Sequence, residues 1–138
     1  MKLRILPFLI LGICLALVSS CTTSHDYGLA VDCEDFVDNP NNESEFTLEV
    51  GDKIRIELCA NPSTGYEWDY EMTVEDIVME EDHDYDETEG DVVGAPGTEF
   101  WTFEAVNSGN TEINMEYTPP GAGNTEDPWT LVMTVTVE

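Results

Sequence analysis

The chain has 138 residues with 30 Asp and Glu against 4 Lys and Arg, a formal net charge of −26. Every acidic residue lies after residue 20, where Lys53 and Arg55 are the only Lys or Arg. A surface of that sign repels phosphate backbones and excludes nucleic acid as a partner, while saying nothing about fold.

Residues 1–20 read as a lipoprotein signal peptide. Lys2 and Arg4 begin it, an apolar run from Ile5 to Val18 follows, and Ser19 and Ser20 precede Cys21. The run is short for a membrane span, which needs about 20 apolar residues. Leu17-Val18-Ser19-Ser20-Cys21 resembles a lipobox, which makes Cys21 the lipidated first residue of an extracytoplasmic, membrane-anchored lipoprotein at the cell surface or in the periplasm. The alternative is a plain secretory signal cleaved near Ser20, and in both cases the domain leaves the cytoplasm. What remains suits one domain, expected as a monomer. Cys14 goes with the signal and Cys21 takes the lipid, so Cys33 and Cys59 are the pair an oxidising compartment could join. The bridge would close a loop of about 27 residues, stabilising by roughly 3 to 4 kcal/mol in the chain-entropy account. Two separate buried thiols are the alternative.

Residues 21–45 are polar, with Val31, Phe36 and Val37 as isolated apolar positions, and read as a tether and lead-in. Asn42-Glu43-Ser44 fits a glycosylation acceptor. From residue 46 to 138 the pattern is period two. Phe46, Leu48 and Val50 share a face, Gly51-Asp52 turns the chain, and Ile54, Ile56 and Leu58 alternate with charged residues. The alternation returns in Tyr66, Trp68, Tyr70 and Met72, then in Trp101, Phe103 and Ala105. It ends in Ile113, Met115 and Tyr117 followed by Leu131, Met133, Val135 and Val137. No amphipathic helix and no internal repeat interrupts it. The expected fold is all-β, an immunoglobulin-like β-sandwich of about seven antiparallel strands.

Three loops between these strands carry the functional signal. Asn61-Pro62-Ser63-Thr64-Gly65-Tyr66-Glu67-Trp68 is similar to the Asn-Pro-Thr-Thr-Gly-aromatic-x-Trp segment of the chagasin family of cysteine-protease inhibitors. Gly94-Ala95-Pro96-Gly97, ahead of the aromatic strand through Trp101 and Phe103, resembles that family's glycine-rich second loop. Asp127-Pro128-Trp129 resembles its third loop, where Arg-Pro-Trp is usual. The resemblance implies a reversible, competitive inhibitor of papain-like cysteine proteases, not an enzyme and without a cofactor, whose three loops fill the active-site cleft. It places Pro62, Ser63, Thr64 and Gly65 near the enzyme's catalytic centre, with the other two loops flanking. A stiff Pro-Gly turn loses little entropy on binding, and a large aromatic makes a good anchor. Trp129 shares parity with Leu131, which suits the core, yet follows Pro128 at a loop exit, which suits an anchor; Trp68 and Trp101 suit the core. Ser63 keeps the hydroxyl of the usual Thr, whereas Asp127 reverses a charge and favours a protease with a cationic rim.

Catalysis and metal binding find little support in the chain. His25 falls in the tether and His83 in an acidic loop, neither in a triad setting. Asp82, Asp84 and Asp86 alternate as in a calcium loop, but Glu87 stands where the turn glycine belongs and Val93 where the bidentate Glu belongs. A solvated acidic lead-in to the glycine-rich loop is expected there instead, with no metal. The competing function is a cell-surface adhesion or ligand-binding immunoglobulin-like module whose loops merely turn the chain.

Overall fold

The computed structural model describes residues 23–87, 94–119, 121 and 127–138. The signal peptide and Cys21 therefore lie outside the described residues.

The chain forms β1 (Asp26–Val31), α1 (Cys33–Asp38), β2 (Asn41–Leu48), β3 (Lys53–Ala60) and a 3₁₀ turn at Pro62–Thr64. It continues through β4 (Glu67–Met72), β5 (Val78–Asp86), β6 (Gly97–Ala105), β7 (Gly109–Thr118) and β8 (Trp129–Val137). Two four-stranded sheets result, ordered β1-β3-β6-β5 and β2-β8-β7-β4. The period-two pattern explains their packing. Ile54, Ile56, Leu58, Trp101, Phe103 and Ala105 point inward from one sheet, and Ile113, Met115, Leu131, Met133 and Val135 from the other, all buried. Each large aliphatic or Phe side chain among them contributes about 1.5 to 3 kcal/mol on burial.

The all-β, immunoglobulin-like sandwich is as expected, and three details differ. Among the described residues there are eight strands, and β1–β3 and β2–β8 pair in parallel, so the sandwich is not wholly antiparallel. Residues 21–45 are not merely a tether, because β1, α1 and the start of β2 belong to the sandwich. Val31 and Phe36 are core residues. The acidic stretch after Val78 is a strand through Asp86, not a solvated loop, because it pairs with β6; residues 88–91 of that stretch lie outside the described residues.

Short local signals make α1. The Asp32 carboxylate accepts the N–H groups of Glu34 (2.8 Å) and Asp35 (2.9 Å), and the Asp35 side chain accepts the N–H of Asp32, closing a capping box. Asn39 N–H bonds the Asp35 carbonyl at 2.8 Å and Pro40 follows, which prevents continuation. Phe36 reaches the core, and a Cys33–Cys59 disulfide with Cα atoms 5.1 Å apart ties the helix to the end of β3.

The topology divides the molecule into two ends. β1 and β3 rise together while β6, β2 and β8 descend, so the connections 32–40, 61–66, 87–96 and 119–128 all leave from one end, called the loop end. The opposite end holds His25, the turn at 49–52, the link between β6 and β7, and Glu138. Buried Asp52 organises it by accepting the N–H groups of His25 (2.7 Å) and Glu49 (2.9 Å). These two backbone donors hold its carboxyl below the usual aspartate range.

Candidate functional site

Asn61 builds the first loop. Its carbonyl accepts the Thr64 N–H (3.0 Å) and hydroxyl (2.7 Å), and its side-chain oxygen accepts the N–H of Ser63 (3.2 Å). Pro62 opens the 3₁₀ turn, where its fixed φ is already suitable. Gly65 closes the turn at φ 81°, ψ 3°, the left-handed region that a side chain disfavours, with its N–H on the Pro62 carbonyl. Pro62, Ser63 and Thr64 are exposed, so the loop is stiff in its own hydrogen bonds and open to a partner.

Two contacts set this loop against its neighbours. The Asn61 side-chain amide donates to the Gly94 carbonyl at 2.9 Å, joining it to the second loop. The Asn61 backbone N–H donates to the Tyr117 hydroxyl at 2.7 Å, fastening its base to β7. Gly94 has φ 85°, again glycine territory. Ala95 is half-buried and Pro96 exposed. Gly97 differs in role: it is buried inside β6, and a Cβ there would overlap the Asp86 carbonyl and the Tyr85 ring. Its lack of a side chain serves the β5–β6 pairing.

In the third loop, Asp127 is exposed and is the one non-glycine residue with positive φ among the described residues, at 55°. Trp129 combines both sequence readings. It is half-buried, stacked on Phe36 (5.0 Å between centroids, 10° between planes) and on Tyr117 (5.5 Å, 16°), yet it still reaches the surface. Tyr66, 38% exposed, lies against the same Tyr117 at 5.4 Å.

These parts surround a groove of about 470 Å³. It is lined by Asn61, Thr64 and Tyr66, by Pro96, by the segment from Asp127 to Trp129, and by Tyr117 and the Cys33–Cys59 bridge. The structure thus brings all three predicted loops together at one end. Residues 88–93, 120 and 122–126 of the loops lie outside the described residues.

Sequence reading missed the support beneath the loops. Phe36 looked like a tether residue and Tyr117 like an ordinary inward strand position, yet both pack on Trp129. The usable signals were the Asp32-x-x-Asp35 capping box just before Pro40 and the Cys33–Cys59 pair.

Among the described residues at this end, no side chain is arranged as an activated nucleophile. The Ser63 hydroxyl donates to the Asn61 amide oxygen, which is no base. His83 sits on β5 with its Nε2 2.7 Å from Glu99 and its ring stacked 3.6 Å above Trp101. Burial pushes the Glu99 carboxyl up, against the opposing hydrogen bond from His83. Tyr70, half-buried and donating to Glu80 at 2.7 Å, has its phenol pushed up to about 12, mainly by burial. Among the described residues, no three His, Cys, Asp or Glu side chains group as metal ligands. The charge is also lopsided: Lys53 is paired with Glu81, and Arg55 lies over Phe100 at 4.3 Å, both on the half of β3 away from the loops.

Comparison with known proteins agrees with this geometry. The family described as "Chagasin family peptidase inhibitor I42" matches residues 47–136. Chagasin of Trypanosoma cruzi is 27% identical over 95 residues, covering 66% of this chain and 86% of chagasin. The cysteine protease inhibitor EhICP2 of Entamoeba histolytica superposes with a TM-score of 0.68 at 22% identity, over 83% of this chain and 97% of its own. Amebosin gives a TM-score of 0.60 at 23% identity, covering 84% and 100%. PbICP-C, solved in complex with falcipain-2, gives 0.56 at 18%, covering 83% and 100%. The chain belongs to the chagasin family of peptidase inhibitors.

Proposed function

We propose that this cysteine protease inhibitor is reversible and competitive, and that it acts on papain-like enzymes by placing the loops at 61–66, 94–97 and 127–129 in the active-site cleft. The observation that carries the reading is the stiff, exposed Pro62–Thr64 turn, closed by Gly65 and flanked by the two other loops at one end of the sandwich. Pre-formed loops lose little freedom on docking, which favours tight binding. The related fold of PbICP-C, solved in complex with falcipain-2, supports a papain-like partner. Membership of an inhibitor family also weighs against the adhesion reading.

Asn61, Pro62, Ser63, Thr64, Gly65 and Tyr66 form the central contact, Gly94, Ala95 and Pro96 one flank, and Asp127, Pro128 and Trp129 the other; Gly97 sets the stem of its hairpin. The inhibitor acts outside the cytoplasm as a monomer, held to a membrane by a lipid on Cys21. The test is steady-state inhibition of papain by the mature chain at two ionic strengths. Inhibition relieved by added substrate supports the reading, and its salt dependence measures the share owed to the acidic surface. A folded chain that leaves papain and a cathepsin L-like enzyme fully active refutes it.

A further inference from the structure

Besides the three loops, α1 stands at the loop end, and the family match begins only at residue 47, beyond this helix. The strand order sets the four elements in a row. The β5–β6 connection lies at one side, the 61–66 loop and the β7–β8 connection follow, and α1 closes the row where β1 passes to β2.

The helix is held there firmly. Cys33 is bonded to Cys59, two residues before Asn61, and Phe36 is stacked on Trp129. α1 is therefore joined directly to Trp129 of the third loop through Phe36. What α1 offers is Val37, 73% exposed and the most exposed of the large hydrophobic side chains among the described residues. Glu34, one turn before it, and Asp38, next to it, add acidic charge on the same helix, and α1 has no basic residue in its last turn. A rigid apolar side chain with acidic neighbours, continuous with a binding surface, fits an apolar spot with basic surroundings on the same partner.

We propose that α1 is a fourth contact element, with Val37 packing on the rim of the protease cleft beside the position taken by the third loop. This rests on the reading of the loop end as the protease-binding surface. It assigns to α1 a share in selecting among papain-like enzymes, in favour of those whose rim is apolar and basic at that point.

Val50 provides the internal control, because it is also an exposed valine, at 44%, but sits at the opposite end. Val37→Glu and Val50→Glu are compared with the wild-type mature chain for inhibition of papain and for thermal unfolding. A photo-cross-linking residue is placed at each position in parallel. Because both side chains are exposed, neither substitution should shift the unfolding midpoint appreciably. The inhibition constant should rise about tenfold for Val37→Glu, the scale of an interface residue that matters, and stay near wild type for Val50→Glu. The residue at 37, and not at 50, should cross-link to the enzyme. Inhibition unchanged by Val37→Glu, with no cross-link from position 37, would overturn the fourth contact and leave the three-loop reading intact. Failure of the wild-type chain to inhibit would remove the underlying reading first.

Discussion

Trp129 has two duties that a single substitution separates only in part. Its ring is stacked between Phe36 and Tyr117, so Trp129→Ala removes support beneath the loops as well as a surface anchor. Truncating it should weaken protease binding by about 2 kcal/mol and also lower the unfolding midpoint. Trp129→Phe, which retains an aromatic ring, should recover most of the fold stability and less of the affinity. Titration of inhibition beside thermal unfolding distinguishes the two losses. Asp52 acts at the other end with a clear sign. Its carboxyl is held low by the His25 and Glu49 N–H groups, so its stabilising share is present above the unfolded aspartate value and lost as pH falls through the lower folded one. Asp52→Asn should therefore be less stable than wild type at neutral pH, with the gap narrowing below about pH 4. Glu99 has the reverse sign: its raised carboxyl favours the fold below the unfolded glutamate value, a share lost as pH rises through the folded one. Denaturant unfolding of wild type and Asp52→Asn across that range checks the first sign; a gap independent of pH would contradict it.

At the scale of elements, the disulfide and α1 act as one unit. Opening the Cys33–Cys59 bridge frees a segment with a sequence separation of 26, for which the chain-entropy account expects a loss of roughly 3 to 4 kcal/mol. Chemical unfolding of the oxidised chain and a Cys33→Ala, Cys59→Ala chain measures it, and equal stabilities would contradict the account. The strands were legible because their signal is geometric. Ile54, Ile56 and Leu58, or Leu131, Met133 and Val135, cannot all be buried except on one face of a strand. The first loop was legible because a Pro followed by Gly65 specifies a stiff turn with one left-handed residue. α1 was not, since six residues are too few for a helical period. β1 was missed because Tyr27, Gly28 and Ala30 lie on an edge strand whose exposed residues read as polar lead-in. Residues 80–86 looked like a loop because β5 is an edge strand rich in exposed carboxylates, and only its register with β6 reveals it.

The whole molecule has direction. His25, fastened to Asp52 and through its carbonyl to Lys53, lies at the end opposite the loops, and only three residues separate it from Cys21. A lipid on Cys21 would hold that end at the membrane and turn the loops outward, about 26 Å away by the length of β3. Detergent-phase partition of the exported protein should be complete for the wild type and lost for Cys21→Ser, with inhibition of a soluble protease equal in both. Partition unaffected by Cys21→Ser would contradict the anchor. On this proposal the loop end, and above all the turn closed by Gly65, enters the protease cleft. The inhibition constant of Gly65→Trp against papain, measured beside wild type on chains shown to be folded, tests it most directly. A side chain at φ 81° costs the fold about 1 to 2 kcal/mol, whereas its bulk at the centre of the contact should abolish inhibition; inhibition equal to wild type would contradict the account.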